Sequence, residues 1–201
     1  MAYLMETEHL RLRPFRPEDA PRLYEIHAEA AVRQWIPNES YADPEEARDA
    51  AGFFADCAAS GRLPFVVAVE SKADGALIGD AGLNEVEGGA GEVEIGYVIR
   101  EKSSGQGRAT ELVRAMTEYA AERFGIDALY GRVMRGNEAS VRVLEKNGYA
   151  FVGEETDAGD DPYGRGMLVY RKACGTPAPT ENPPGGEFSN IQRTTYSATG
   201  S

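Results

Sequence analysis

Between residues 96 and 113 the chain reads GYVIREKSSGQGRATELV: an apolar strand-like run, a polar turn holding Gly105 and Gly107, and the start of a helical pattern. Strand, glycine turn and helix in that order restrict the chain to folds in which a helix returns across a sheet. The same order creates a chemical feature. A helix start exposes N–H groups without intrahelical partners and the positive end of the helix dipole, and two glycines remove side chains that would hold phosphate oxygens away. Arg100, Lys102 and Arg108 surround the turn. In a chain of 33 acidic and 21 basic residues, with a formal charge of -12, a basic island at a helix start points to a bound anion. Two familiar phosphate loops do not fit. GQGRAT lacks the Gly-Lys-Ser/Thr closure of a Walker A loop, and Thr110 stands where a dinucleotide fingerprint needs its third glycine. An ordinary strand-to-helix turn is the competing reading, and residues elsewhere must decide between them.

The remaining pattern is that of alternating strands and helices. EHLRLRPF alternates as a half-buried strand does, Leu10 and Leu12 on one face and Arg11 and Arg13 on the other. PEDAPRLYEIHAEA predicts a first helix. A second, in ADPEEARDAAGFFADCAASG, has Asp43 as N-cap, Pro44 at the first position, Glu46 completing a capping box and Gly61 at its end. PFVVAVE, ALIGDAGLNEV and GEVEIGYVI predict an antiparallel meander. After the glycine turn, Leu112, Val113, Met116, Tyr119 and Ala120 recur at helical spacing, with Gly125 just beyond. IDALYGRVM predicts a strand, NEASVRVLEKNG a helix capped by Asn137 and stopped at Gly148, and YAFVGEE and MLVYRK the last two strands. The expected fold class is α/β (α+β): one domain over residues 1–172, with a mixed, mostly antiparallel sheet flanked by helices on both faces. From residue 173 to 201 the chain turns to Pro, Gly, Ser and Thr with few aliphatics, and a disordered tail is expected.

Composition narrows the setting. Cys57 lies among alanines in a helical pattern and Cys174 in the polar tail, with no Cys-x-x-Cys spacing, which predicts a reduced, cytoplasmic chain. MAYLMETEHLRL has no basic stretch leading into an apolar one, and no run of about eighteen apolar residues follows, so neither secretion nor a membrane partner is expected. The net acidity disfavours nucleic acid; solubility or a salty cytoplasm is the preferred explanation for it, and it would also suit a cationic amine. His9 and His27 lack companions at metal-ligand spacing, so no metal is expected.

Taken together, LRLRPFRPEDA, EIGYVIREKSSGQGRATEL and NEASVRVLEKNGYAFVGE resemble the RimJ/RimL-type branch of the GNAT acetyltransferases over residues 5–172. The family's loop reads Gln/Arg-x-x-Gly-x-Gly/Ala, and Lys102, Gly105 and Gly107 stand in those places. Its Asn-x-x-Ser and Leu-Glu-Lys-x-Gly-aromatic signature is present as Asn137, Ser140, Leu144, Glu145, Lys146, Gly148 and Tyr149. The resemblance implies a splayed sheet that admits the pantetheine arm of acetyl-CoA between the strand ending near Ile99 and the one ending near Met134. It implies a pyrophosphate resting on backbone amides from Ser103 to Ala109, through Ser104, Gly105, Gln106, Gly107 and Arg108. It also implies a bulge near Gly96, whose freed amides at Tyr97 and Val98 bond pantetheine and polarise the thioester carbonyl.

The activity so implied is direct transfer of an acetyl group from acetyl-CoA to a primary amine: a protein N-terminus, a small polyamine, an amino acid or an aminoglycoside-like compound. Such transfer needs a base for the amine, and Glu92 and Glu94 share one strand face by the two-residue period. Glu94, nearer the expected bulge, is the candidate base. Ser140 is the candidate partner of the CoA sulfur or acid, and Asn137 a pantetheine contact that also serves as a helix cap. A solvated strand face and a first-turn hydroxyl are the plain alternatives for the glutamate and the serine. In one branch of the family a catalytic tyrosine falls at Leu144 here and a carboxylate at Arg132, so that acid-base scheme does not carry over. Trp35, Ile36, Phe53 and Phe54 are candidates to line the acceptor pocket, with core packing as the alternative. Rival readings are a catalytically silent CoA-binding regulatory domain, transfer of another acyl group, and transfer onto aminoacyl-tRNA. Relatives of this kind commonly dimerise, so a homodimer is compatible with the resemblance.

Overall fold

A computed structural model describes residues 3–86, 89, 91–156 and 158–174. The expected tail lies outside the described residues from residue 175 onward. Eight strands form one sheet in the order β1-β2-β3-β4-β5-β6-β8-β7, with β1 at Met5–Glu6, β2 at Leu10–Arg13, β3 at Phe65–Ser71, β4 at Leu77–Glu85, β5 at Glu92–Ile99, β6 at Ala128–Met134, β7 at Ala150–Glu155 and β8 at Met167–Ala173. Every neighbouring pair is antiparallel except β5 and β6, the pair that needs a crossover helix. The helices are α1 (Ala20–Ala28), α2 (Ala30–Arg33), α3 (Pro44–Ser60), α4 (Arg108–Phe124) and α5 (Glu138–Lys146).

The two faces of the sheet sort by the strand period. Phe65, Val67, Val69, Val93 and Ile95 pack with Leu112, Val113 and Met116 of α4 and Leu144 of α5. The intervening Val66, Ala68 and Val98 pack with Leu23 and Ile26 of α1 and Ala51 of α3. Full burial of each large apolar side chain contributes about 1.5–3 kcal/mol, which is why one phase of alternation fixes the register.

Local signals acted largely as read. Asp43 caps α3 through its carboxylate on the Glu45 and Glu46 amides, and Gly61 ends the helix in the left-handed conformation. Glu46 reaches back to the Ala42 amide rather than to the cap residue itself. The first predicted helix is broken: a 3-10 turn at Pro17–Asp19 precedes α1, and Glu29, with ψ 132, separates α1 from α2. Arg13 is not on a solvated face. Its guanidinium is buried and donates to both Asp19 carboxylate oxygens and to Glu70, tying β2 to the turn that starts α1. The domain also extends slightly past its expected end, because β8 runs to Ala173 and the Cys174 amide donates to Asp127 O at 2.8 Å. Among the described residues no helix is long and apolar enough to cross a membrane.

Candidate active site

Strands β5 and β6 pair only through Glu92, Val93 and Glu94, opposite Ala128, Leu129 and Tyr130. Beyond that point they part. A cleft of about 540 Å³ lies between Tyr97, Val98 and Ile99 of β5, the start of α4, and Ser140 and Val143 of α5. Backbone N–H groups on alternate residues of a strand point to the same edge, so part of the Ile95–Ile99 backbone donates into the gap. The expected bulge is absent: Gly96, Tyr97 and Val98 pair in unbroken register with Gly82, Ala81 and Asp80 of β4. Loss of the β6 partner, not a bulge, is what leaves every second amide of this stretch unpaired within the sheet.

Gly105 and Gly107 border the same cleft at φ 75 and 79, and a Cβ at either would meet open space within 4 Å. No side chain caps α4, whereas Asp43 caps α3 and Asn137 caps α5. The first-turn amides of α4 are thus presented to the cleft with their dipole, an arrangement that fits the diphosphate of CoA. Two of the amides expected to hold phosphate already have backbone partners. The Ser103 amide donates to Arg100 O and the Ser104 amide to Glu101 O, both at 3.0 Å, so these two cannot also serve phosphate. Ser104, Gly105, Gly107 and Ala109 line the cleft; Lys102, Ser103, Gln106 and Arg108 do not. Arg100 turns toward Glu29, 3.7 Å away.

A smaller cavity of about 70 Å³ adjoins the cleft and shares Trp35, Ile36, Tyr97, Asn137 and Ser140 with it. Glu94 stands in its wall at 1% exposure, while Glu92, on the same strand face, reaches Tyr130 and Arg171 instead. Burial pushes the Glu94 carboxyl up to about 8; Arg132 opposes the shift, and Asp160 and Glu155 add to it. Tyr97 donates its hydroxyl to Ser140 O at 3.5 Å, and burial raises its phenol to about 12. Asn137 accepts from the Ser140 amide at 3.2 Å, so the cap fixes the first turn of α5 and with it Ser140.

Several residues of this cavity escaped the sequence reading. Arg132 bonds Glu155 through Nε and Nη2, at 3.0 and 2.5 Å, and Asp160 through Nη1 and Nη2, at 2.6 and 3.0 Å. Burial disfavours its charge, but Asp160, Glu94 and Glu155 outweigh that and hold its pKa up. Arg132 was visible only as a departure from the family pattern, and its carboxylates lie in β7 and the following loop, where no local signal marks them. Of the acceptor-pocket candidates, Trp35 and Ile36 line this cavity, Phe54 lines a neighbouring one beside α3, and Phe53 packs on Phe54 and Arg62. Among the described residues no three His, Cys, Asp or Glu side chains converge as a metal site.

Comparison with known proteins agrees with this geometry. The family model for the acetyltransferase (GNAT) domain matches residues 9–150. A putative ribosomal N-acetyltransferase, YdaF, of Bacillus subtilis is 30% identical, over 82% of this chain and 90% of its own length. An uncharacterized N-acetyltransferase, p20, of Bacillus licheniformis is 26% identical over 69% of this chain and 77% of its own. Among solved structures, RimL, a ribosomal L7/L12 alpha-N-protein acetyltransferase in complex with coenzyme A, superposes with a TM-score of 0.70 at 19% identity, covering 86% of this chain and 98% of that one.

Proposed function

The chain belongs to the GNAT acetyltransferases, in their RimJ/RimL-like branch, and on that premise we propose that it moves an acetyl group from acetyl-CoA directly to a primary amine, either a protein N-terminus or a small cationic amine. The observation that carries this reading is the meeting of two cavities at the point where β5 and β6 part: an uncapped, glycine-lined helix start on one side and a buried carboxyl on the other.

Acetyl-CoA supplies the activated acetyl group as a thioester. The amides of Gly105, Gly107 and Ala109 hold its diphosphate, and Tyr97, Val98 and Ile99 hold the pantetheine arm along the unpaired edge of β5. Amides on that edge donate to the thioester oxygen as negative charge develops there. Glu94 takes the amine proton. Its pKa of about 8 lies close to that of an α-amino group, roughly 7.7–8.0, so the proton passes without a large uphill step. The nitrogen lone pair then forms the amide bond as the carbon–sulfur bond breaks; the nitrogen sheds its second proton, and the Ser140 hydroxyl relays a proton to the departing sulfur and regains one from it. Arg132, Glu155 and Asp160 keep a net negative charge beside Glu94, which favours a cationic acceptor.

The test is to incubate the protein with acetyl-CoA and a panel of amines and N-terminal peptides while following free thiol. Acceptor-dependent release, together with acetylated product of the expected mass, supports the reading. CoA binding by calorimetry without turnover on any acceptor would overturn it in favour of a silent CoA-binding domain.

A further inference from the structure

A third cavity, of about 130 Å³, lies on the same sheet face as Glu94 and shares Asn38, Glu39, Gly96 and Tyr97 with the cavity around it. The register of β4 and β5 shows what lies between the two. Asn84 lies opposite Glu94, Gly82 opposite Gly96, and Asp80 opposite Val98. The paired glycines leave a strip of sheet without side chains, bounded by Glu94 and Asn84 at one end and by Asp80 at the other. A Cβ on Gly82 would press on Val66 at 3.2 Å, so a side chain there would crowd its neighbour.

The far end of this trough has the chemistry of a cation site. Asp80 and Glu46 supply carboxylates, and Tyr41 and Phe54 supply aromatic walls. His27 holds Asp80 in place: Nδ1 lies 2.6 Å from Glu39 O and Nε2 2.8 Å from Asp80 Oδ2. The carbonyl can only accept, so Nδ1 donates to it; the Nε2 contact with Asp80 then holds a second proton, the imidazole and carboxyl form a pair that is neutral overall, and Glu46 carries the net negative charge at this end. His27 thereby takes one Asp80 oxygen, and the other is the acceptor offered to a ligand. Burial, then the charges of Asp80 and Glu46, push the Tyr41 phenol well above its ordinary range, a sign that both carboxylates act on the same small volume.

We propose that this cavity is a second subsite for the acceptor, binding a cationic group carried on the same molecule as the amine that is acetylated. The inference rests on the transferase reading above and narrows its substrate class to primary amines with a second positive charge. Four residues of strand separate the two ends, about 14 Å at 3.4 Å per residue; a hydrogen bond of about 3 Å at each end leaves roughly 8 Å between the nitrogens. A linear diamine or an N-terminal residue followed by a basic side chain meets that spacing.

The experiment compares pentane-1,5-diamine, pentylamine and 5-aminopentanoate as acceptors for the full-length enzyme, with calorimetric titration of the diamine alone as an independent readout. The diamine is expected to exceed pentylamine about ten- to hundredfold in kcat/KM, with 5-aminopentanoate slowest. Asp80→Asn and Glu46→Gln, each checked for folding by thermal melting, should reduce that ratio and the diamine affinity in parallel. Equal kcat/KM for diamine and pentylamine in the wild type would overturn the subsite while leaving the transferase reading standing, as would a ratio that survives both substitutions. Acetylation of no amine or N-terminal peptide at all would remove the transferase reading and the subsite together.

Discussion

Glu94 and Tyr130 are the last residues that β5 and β6 share before the strands separate. The carboxyl therefore sits at the apex of the gap, buried by the sheet on one side and open to a cavity on the other. Because burial raises its pKa to about 8, the ionised form needed for proton removal grows as pH rises through that value. The kcat/KM profile for a given amine should show an ascending limb near pH 8. Glu94→Gln should abolish that limb, leave only the limb set by the amine itself, and lower kcat/KM by about 10²–10⁴. The stability effect has the opposite sense. A carboxyl whose folded pKa exceeds its unfolded one stabilises the fold below the unfolded value, and that contribution is lost as pH rises toward and through 8. Thermal melts of wild type and Glu94→Gln should thus diverge in favour of the variant at alkaline pH.

Arg132 is the counter-charge of this site. Replacing it with Leu strands Glu155 and Asp160 in a buried place and should cost about 3–5 kcal/mol, read by denaturant unfolding. It also removes the positive charge that lowers the Glu94 pKa, so the ascending limb should move above pH 8 in whatever protein folds. Asp160→Asn removes an anion and should move it below. Two shifts of opposite sign cannot come from general loosening of the site.

Gly107→Ala separates backbone strain from ligand approach. At φ 79 a side chain costs about 1–2 kcal/mol, or a few degrees in Tm for a domain of this size. Gly125, at the other end of α4 with φ 60, imposes a similar cost when changed to Ala. Calorimetry with CoA should show affinity falling about tenfold for Gly107→Ala and unchanged for Gly125→Ala. Equal affinities would place the diphosphate elsewhere.

Asn137→Ala removes the cap of α5 and should lower stability by about 1 kcal/mol. Since the same bond positions Ser140, kcat for acetyl transfer should fall while Asn137→Asp, which retains an accepting oxygen, restores it. Stopped-flow thiol release under saturating acetyl-CoA measures the difference.

Local chemistry wrote most of the fold into the sequence. Caps at Asp43 and Asn137, left-handed stops at Gly61 and Gly125, and the two-residue period of β3 to β5 each depend on neighbours within a few residues, so they could be read without the tertiary structure. The same holds for the bare helix start at Gly107 and for Glu94 as the face-pointing acid of β5. The break at Glu29 and the burial of Arg13 were not legible, because both are settled by what packs against them.

By itself, then, the sequence determined the order of elements, the phosphate-ready turn and the pair of residues, Glu94 and Ser140, on which the chemistry is proposed to rest. Only the tertiary structure decided how Glu94 is charged and which cavities meet beside it. The parting of β5 from β6 replaces the expected bulge, and Arg132, Glu155 and Asp160 meet across 28 residues of chain while His27 and Asp80 meet across 53. Electrostatics and cavity shape depend on distance in space, and spacing along the chain carries no record of that.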